Sequence, residues 1–439
     1  MRRTETSGTL VLTVLVGILI VSSPSGRSNG ETPSPSVAGA GRGPHVVRVV
    51  KGDGGFQLLR DGKPYFIKGA GGDGPMEALA RAGGNSLRTW GADKVGPILD
   101  EAERLGLTVT VGIWLGHERH GFDYTDVGQV ARQYEQARET ILRYKDHPAL
   151  LMWGIGNEME GQARGGNAAI WSAVNNVASM AKKLDPDHPT IAVVAEIGGD
   201  RVASIHRLCP DIDVVGINSY GNAATIPERY RKAGGVRPYV ITEFGPPGSW
   251  ESPKTAWKAA IELPSTQKAE FYRRTYQRAV AGAEGLCLGS YAFIWGHKQE
   301  ATATWFGLLL PDGSRTGAVD VLTELWTARP PANRCPEIRR MSLDGPDQVD
   351  PAADVRASLE ASDPDGDAFS VRWVLRREGS YGSGGDAEPT PPSYPGAIVE
   401  SDDHRAHLRA PKEGGGYRLF AYVRDDHGGA ATANVPFLV

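Results

Sequence analysis

The chain has 439 residues, of which 40% are hydrophobic and 23% charged, and this balance suits one large core or a large core with a small one. It excludes a chain that is disordered over most of its length. The formal net charge is -4. The sequence has no stripe of basic residues of the kind that would indicate a nucleic-acid partner. The three cysteines, Cys209, Cys287 and Cys335, show no metal-ligand spacing and permit at most one disulfide. We therefore expect buried, inert thiols and no bound metal or cofactor.

The N-terminal segment, residues 1–25, is typical of a signal peptide. Arg2 and Arg3 precede an uncharged apolar run from Thr9 to Val21, which is short for a membrane-spanning helix. We expect export, either as a secreted protein or to the cell envelope or periplasm. An uncleaved N-terminal anchor remains an alternative, since no clean small-residue cleavage site follows. Residues 26–45 are rich in Pro, Ser and Gly and predict a flexible linker.

Residues 46–332 alternate short apolar runs with amphipathic stretches. The predicted strands are Tyr65 to Gly69, Ser86 to Trp90, Thr108 to Trp114, Leu150 to Ile155, Thr190 to Ala195, Val214 to Asn218, Tyr239 to Thr242 and Leu286 to Trp295. The predicted helices are Met76 to Ala82, Val95 to Leu105, Val127 to Tyr144, Ala168 to Leu184, Val202 to Leu208, Pro227 to Ala233, Gln267 to Ala281 and Val319 to Ala328. Nearly continuous apolar strands are buried on both faces, which predicts a (β/α)₈ TIM barrel. A doubly wound open sheet is the alternative fold.

Polar and aromatic residues recur at the carboxyl ends of these predicted strands. In chain order they are Arg88, Trp90, His117, Asn157, Glu158, Glu196, Asn218, Tyr220, Glu243 and Trp295. Active sites of barrel enzymes lie at this end of the barrel, on the loops that follow the strands. The recurrence therefore predicts one functional rim.

Two of these residues, Glu158 and Glu243, follow the fourth and seventh predicted strands. Cleavage of a glycosidic bond requires a proton for the leaving oxygen and a nucleophile at the anomeric carbon, and two carboxyls about 5 Å apart supply both with retention of configuration. We assign Glu158 as general acid and base and Glu243 as nucleophile. The alternative for Glu158 is a carboxylate at a helix N-terminus or in a loop ion pair, and the alternative for Glu243 is an ion-paired residue of the rim.

Several motifs carry a family resemblance that covers residues 46–329. The segments "MWGIGNE" and "PYVITEFG" resemble the acid/base and nucleophile signatures of the clan A retaining glycoside hydrolases, especially the TIM-barrel domain of glycoside hydrolase family 2. The segments "GGNSLRTWG", "GINSYG" and "YAFIWG" are similar to further strand-end segments of the clan. The resemblance implies that Arg88 and Tyr220 hold Glu243, that Asn157 binds a sugar 2-hydroxyl, and that Trp295 forms the floor of the sugar subsite.

Two strand-end residues are weaker substrate-binding candidates. Asn218 precedes Tyr220 on the sixth predicted strand. His117, in "GHERHGFDY", is a candidate for contacts with sugar hydroxyls, with an exposed loop histidine as the alternative.

The substrate implied by these motifs is a β-linked poly- or oligosaccharide. The opening "FQLLRDGKPYFIKGAGG" also resembles the β-1,3-glucanosyltransferases, which use the same carboxylate pair to transfer a glycan to a sugar. Transglycosylation is therefore one alternative to hydrolysis. A non-catalytic glycan-binding protein of the envelope is the other. The sequence gives no indication of an oligomeric state.

Residues 337–439 predict a small all-β sandwich after a proline-rich break. The predicted strands are Asp354 to Ala361, Phe369 to Arg376, His407 to Ala410, Tyr417 to Asp425 and Ala430 to Val439. With Trp373 as a buried core residue, the segment resembles the PKD-like and cadherin-like immunoglobulin modules. Asp363, Asp365 and Asp367 offer oxygen ligands for calcium, although a turn rich in Asp and Gly is the alternative.

Overall fold

The computed structural model describes residues 43–161, 165–283, 285–379 and 385–439. The predicted export segment, residues 1–25, and most of the predicted linker lie outside these ranges, so both stay predictions. Across the described ranges, no helix combines the length and the apolar character that crossing a membrane requires.

A small antiparallel sheet precedes the barrel. Its strands are β1 (Val47–Gly52), β2 (Gly55–Arg60) and β3 (Lys63–Pro64). Val47 and Leu58 are buried against the amino ends of the barrel strands, so the sheet covers the bottom of the barrel. The sequence analysis missed this sheet, although Asp61 and Gly62 both have positive φ and form the kind of Asp-Gly turn that marks a hairpin.

Eight parallel strands form a closed barrel. They are β4 (Ile67–Gly72), β5 (Ser86–Arg88), β6 (Thr108–Ile113), β7 (Leu150–Asn157), β8 (Thr190–Ala195), β9 (Val214–Asn218), β10 (Tyr239–Phe244) and β11 (Cys287–Trp295). Each strand pairs with the next along the chain, and β11 pairs with β4 to close the ring. The predicted TIM barrel is confirmed, and the open doubly wound sheet is excluded.

Within the described ranges, eight α-helices accompany the barrel strands. They are α1 (Met76–Arg81), α2 (Val95–Leu105), α3 (Val127–Tyr144), α4 (Ala168–Leu184), α5 (Arg201–Leu208), α6 (Ile226–Lys232), α7 (Ser265–Thr275) and α8 (Gly317–Thr327). The side chain of Asp126 accepts from the backbone N–H groups of Gly128 and Gln129 and so caps the first turn of α3. This local cap explains why the sequence predicted the start of α3 correctly. A π-helical segment, Tyr276–Ala281, continues α7.

The middle of the barrel is filled by Tyr291. Its hydroxyl lies 2.8 Å from the Ser86 Oγ and 2.6 Å from the Thr110 Oγ1, and its ring packs where only glycine fits. A Cβ at Gly69 would lie 2.4 Å from the ring. The filled middle leaves the carboxyl end of the barrel as the place for a cavity.

The C-terminal part of the chain forms two four-stranded sheets around a shared apolar core. One contains β12 (Arg315–Thr316), β15 (Phe369–Arg377), β18 (Gly416–Asp425) and β19 (Gly429–Leu438), and the other β13 (Glu337–Leu343), β14 (Asp354–Ser362), β16 (Ile398–Ser401) and β17 (Arg405–Arg409). Trp373 lies in this core, as predicted. The likeness to immunoglobulin modules stays a prediction, as do the proposed domain limits. The short strand β12 belongs to the predicted barrel segment but pairs with β19.

The aspartate turn of this region makes contacts within the protein. Asp363 accepts from the backbone N–H groups of Asp365 and Asp367, and Arg334 donates to Asp365 at 2.7 Å. These are the contacts of a turn with an ion pair, and calcium binding stays a prediction. The cysteine prediction is confirmed, because Cys209, Cys287 and Cys335 are buried free thiols.

A buried polar network joins the barrel to the C-terminal sheets. Arg418 of β18 is 2% exposed, pairs with Glu378 at 2.6 Å and donates to the Ala260 carbonyl at 2.8 Å. Asn434 of β19 donates to Glu262 at 2.6 Å. Burial raises the pKa of Glu262, but the charges of Lys268 and Arg418 outweigh it and hold that pKa below its ordinary value. The two parts of the chain therefore share a charged interface that is closed to water.

We expect Arg418→Leu to lower the free energy of unfolding by about 3 kcal/mol, because it breaks a buried ion pair and removes a donor to the barrel. Arg409→Leu, on β17 of the other sheet, is the matched control. Arg409 pairs with Asp354 at the surface, so its loss should change stability little. Urea unfolding followed by tryptophan fluorescence measures both. Equal midpoints for the two variants would contradict a structural role for the network.

Candidate active site

A cavity of about 610 Å³ opens at the carboxyl ends of the barrel strands. Such a volume accommodates a small-molecule ligand. Most of the predicted site residues line it: His117, Asn157, Glu158, Asn218, Tyr220 and Glu243. Among the described residues, the only cluster with metal-ligand geometry is the aspartate turn of the C-terminal sheets, which lies outside the cavity lining.

Glu243, at the end of β10, is held by three donors. Arg88 and Trp90 donate to its Oε1 at 2.9 and 2.7 Å, and the Tyr220 hydroxyl donates to its Oε2 at 2.7 Å. Burial and the nearby Glu243 charge raise the pKa of Tyr220 well above its ordinary value, so the hydroxyl keeps its proton. Donors therefore reach both carboxyl oxygens of Glu243 and fix its orientation.

Arg88, at the end of β5, connects several strands of the barrel mouth. Besides its bond to Glu243 it donates to the Thr242 carbonyl at 3.0 Å and to the Asn157 Oδ1 at 2.6 Å. Asn218 also donates to the Asn157 Oδ1, at 3.2 Å. With its oxygen engaged twice, Asn157 offers its amide N–H₂ group to a ligand.

Glu158 follows β7 directly and has a different environment from Glu243. It is half-buried, and the Asn218 amide donates to its Oε1 at 2.7 Å. Burial and the charge of Glu243 raise the pKa of Glu158 from its ordinary value of 4.5 to about 7. The site therefore holds one carboxylate stabilised by donors and one carboxyl that keeps a proton near neutral pH, which is the arrangement of an acid and a nucleophile.

The backbone is strained at two rim positions. Glu158 has φ +54, and Glu196, after β8, has φ +66. These are left-handed backbone conformations that residues other than glycine rarely adopt. Strain of this kind costs about 1–3 kcal/mol per residue and concentrates at functional sites. Glu196 also lines the cavity and pairs with Arg229 at 2.9 Å.

His117 lies in the cavity wall rather than in an exposed loop. It is 5% exposed and stacks on Trp114 with a 4.8 Å separation of ring centroids. Its Nε2 atom is buried and has no hydrogen-bond partner within the described ranges. Burial lowers the pKa of His117 to about 4, so at neutral pH the ring is uncharged. A ligand hydroxyl would satisfy the orphaned nitrogen.

Trp295 is a correction to the predicted site. The side chain is fully buried, donates to the Pro75 carbonyl at 2.9 Å and does not line the cavity. The register of β11 against β4 shifts between Phe293 and Trp295. Side chains along the strand therefore no longer point alternately to its two faces at this position. Phe293 and Ile294 line the cavity in its place.

The sequence analysis assigned no site role to Trp90 or Trp114. Trp90 was noted only at a strand end, and the structure adds its bond to Glu243. Trp114 lines the cavity and is 46% exposed. Trp250, for which the sequence left sugar stacking and packing as equal alternatives, also lines the cavity and is 60% exposed. Asp386, from the C-terminal part, also lines it, and no pattern in the barrel segment could have revealed this contact.

A comparison of the sequence with known proteins agrees with the TIM barrel seen in the structure. The family model of the glycosyl hydrolases family 2 TIM barrel domain matches residues 92–273, a range that contains both Glu158 and Glu243. Two β-glucuronidases, from Chlorocebus aethiops and Felis catus, are each 26% identical to this chain over 184 and 190 residues. Each alignment covers 37% of this chain and 26% of the relative, so the chain matches about a quarter of the length of these relatives.

A solved structure shows the same fold. The crystal structure of Ruminococcus gnavus β-glucuronidase matches with a TM-score of 0.51 and 17% identity, over 64% of this chain and 53% of that one. At this identity the likeness concerns the fold alone. The family-model match and the β-glucuronidase relatives support a glycoside hydrolase.

The raised pKa of Glu158 predicts that the free energy of unfolding depends on pH. Glu158 binds its proton more tightly in the folded chain than in the unfolded one, so the folded protein loses stability as the pH rises from about 4.5 to about 7. Glu158→Gln keeps the acceptor for Asn218 and cannot ionise. It should stabilise the protein by about 3 kcal/mol at pH 8 and by less than about 1 kcal/mol at pH 5.

Thermal or urea unfolding of parent and variant at the two pH values tests this. Glu103→Gln, at an exposed position on α2, is the control and should show no such pH dependence. An equal effect of Glu158→Gln at pH 5 and pH 8 would contradict the proton held at Glu158.

Proposed function

We propose that this protein is an exported retaining glycoside hydrolase that cleaves β-glycosidic bonds of a poly- or oligosaccharide. The observation that carries the proposal is the unequal environment of two facing carboxyls. Glu243 accepts from Arg88, Trp90 and Tyr220, whereas Glu158 has a pKa of about 7. Retaining glycosidases need this pair, with the nucleophile ionised and the acid protonated. Export rests on the N-terminal sequence pattern.

In the first step the Glu243 carboxylate attacks the anomeric carbon as Glu158 protonates the leaving glycosidic oxygen. The leaving group departs as an alcohol, and a glycosyl ester of Glu243 remains. The donors Arg88, Trp90 and Tyr220 orient the nucleophile before the attack. Asn157, whose oxygen is held by Arg88, presents its amide to the sugar hydroxyl next to the reacting carbon.

In the second step Glu158 acts as a base. Esterification removes the negative charge of Glu243, which is one of the causes of the raised Glu158 pKa, so that pKa falls. The Glu158 carboxylate then deprotonates a water that attacks the anomeric carbon. The bond between that carbon and the Glu243 carboxylate breaks, and the sugar leaves with its original configuration. Transfer to another sugar in place of water would use the same step, and the masses of the products distinguish the two outcomes.

Covalent trapping tests the nucleophile. A 2-fluoro β-glycoside with an activated leaving group slows hydrolysis of the ester, so a glycosyl adduct should accumulate on the peptide that contains "ITEFG". Peptide mass spectrometry locates it. Glu243→Gln should show no adduct, and Glu196→Gln, which alters a neighbouring rim carboxylate, should still be labelled. An adduct on Glu158 or Glu196 would overturn the assignment.

Azide rescue tests the acid and base. Glu158→Ala should lose at least about 100-fold in kcat on substrates whose leaving group needs a proton, and far less on aryl glycosides with acidic phenols. Deglycosylation then limits turnover, and azide, which needs no deprotonation, should accelerate it and form the β-glycosyl azide.

Glu243→Ala is the matched variant, since azide can replace the lost nucleophile and should then form the inverted α-glycosyl azide. NMR of the products gives both configurations. An α-azide from Glu158→Ala, or undiminished activity of that variant on a natural glycan, would rule out the role of Glu158.

A further inference from the structure

Among the described residues, the lining of the cavity contains more carboxyl groups than cations. Its lining includes the carboxyls of Glu158, Glu196, Glu243, Glu251, Glu300 and Asp386. Its basic side chains are Arg119 and Lys298, with Arg88 buried behind Glu243. His117 adds no positive charge at neutral pH, because burial lowers its pKa to about 4.

Each of these cations is already engaged by a carboxylate. Arg88 lies 2.9 Å from Glu243, Lys298 lies 2.6 Å from Glu300, and Arg119 lies 3.1 Å from Asp386. Lys298 also donates to the Gly385 carbonyl at 2.8 Å. In the described parts of the chain, therefore, every basic side chain of the cavity already has an acidic partner.

The remaining surface suits an uncharged ring. Trp114 and Trp250 expose their indoles to the cavity, and Phe293 and Ile294 add apolar wall. Indole faces bind the C–H faces of a pyranose, and amide groups such as that of Asn157 bind its hydroxyls. Neither surface compensates a negative charge.

We propose that the cavity selects an uncharged glycosyl group and disfavours a uronic acid. The inference rests on the glycosidase function proposed above and concerns its substrate class. A uronate carboxylate would lose water without gaining a cation and would face several carboxylates of the wall. Specificity of this kind comes from repulsion of the wrong ligand. It separates this chain from the β-glucuronidases that share its barrel.

Binding of two matched inhibitors tests the proposal without depending on the leaving group. Isofagomine and uronic isofagomine share the ring nitrogen and differ by the carboxylate. Isothermal titration calorimetry at pH 7 should give a Kd at least about tenfold lower for isofagomine, which lacks the carboxylate, and this corresponds to about 1.4 kcal/mol. Uronic isofagomine that binds as tightly as isofagomine, or more tightly, would overturn the proposal.

Variants that remove the acidic partner of a cavity cation should weaken the preference. Glu300→Gln removes the carboxylate paired with Lys298, and Asp386→Asn removes the one paired with Arg119. Each should improve binding of uronic isofagomine relative to isofagomine by about tenfold. Glu118→Gln is the control, because it removes the same charge from a residue that bonds Asn167 instead of a cavity cation. If the ratio of the two Kd values is unchanged in both Glu300→Gln and Asp386→Asn, the charge argument is contradicted.

The outcome is separable from that of the proposed function. Paired aryl glycosides and aryl uronides of the same ring configuration should show the same preference in kcat/KM. If the uronide alone is hydrolysed and Glu243 is labelled, the glycosidase function stands and the charge preference is refuted. If no glycoside is hydrolysed and Glu243 is never labelled, the proposed function itself is refuted.

Discussion

The Arg88 guanidinium organises the mouth of the barrel. It is 3% exposed, and its bonds join the end of β5 to Asn157 on β7 and to Glu243 and the Thr242 carbonyl on β10. Hydrogen bonds to a buried charged group contribute about 1.5–3 kcal/mol each, and a planar guanidinium fixes direction as well as charge. The positions of Glu243 and Asn157 and the geometry of the rim therefore depend on one buried cation.

The two carboxyls of the site have unequal surroundings. Arg88 pairs with the Glu243 carboxylate, and Trp90 and Tyr220 complete its set of donors. Glu158 receives one amide from Asn218 and lies in the field of the ionised Glu243. Because the shift at Glu158 depends partly on that charge, formation and hydrolysis of an ester at Glu243 would move the proton affinity of Glu158 in the direction each step needs.

The C-terminal sheets belong to the site as well as to the fold. Gly385 and Asp386 reach the cavity, where they contact Lys298 and Arg119. The buried contacts of Arg418 and Asn434 with the barrel hold the sheets against it. An added sheet pair that supplies charge to the wall can change which ligand the cavity accepts without changing Glu158 and Glu243.

The sequence by itself determined where the barrel strands lie and which polar residues end them, because apolar strands and capped helices are local patterns. Glu158, Glu243, Asn157 and Tyr220 could be named from those ends alone. Only the tertiary structure decided that Trp295 turns away from the cavity, because a register shift depends on the neighbouring strand. It also decided the protonation of Glu158 and the part played by Asp386, since both depend on groups brought together from distant parts of the chain. Local patterns give the order of the helices and strands. The pKa shifts and the burial of side chains depend on contacts that form only when the barrel closes.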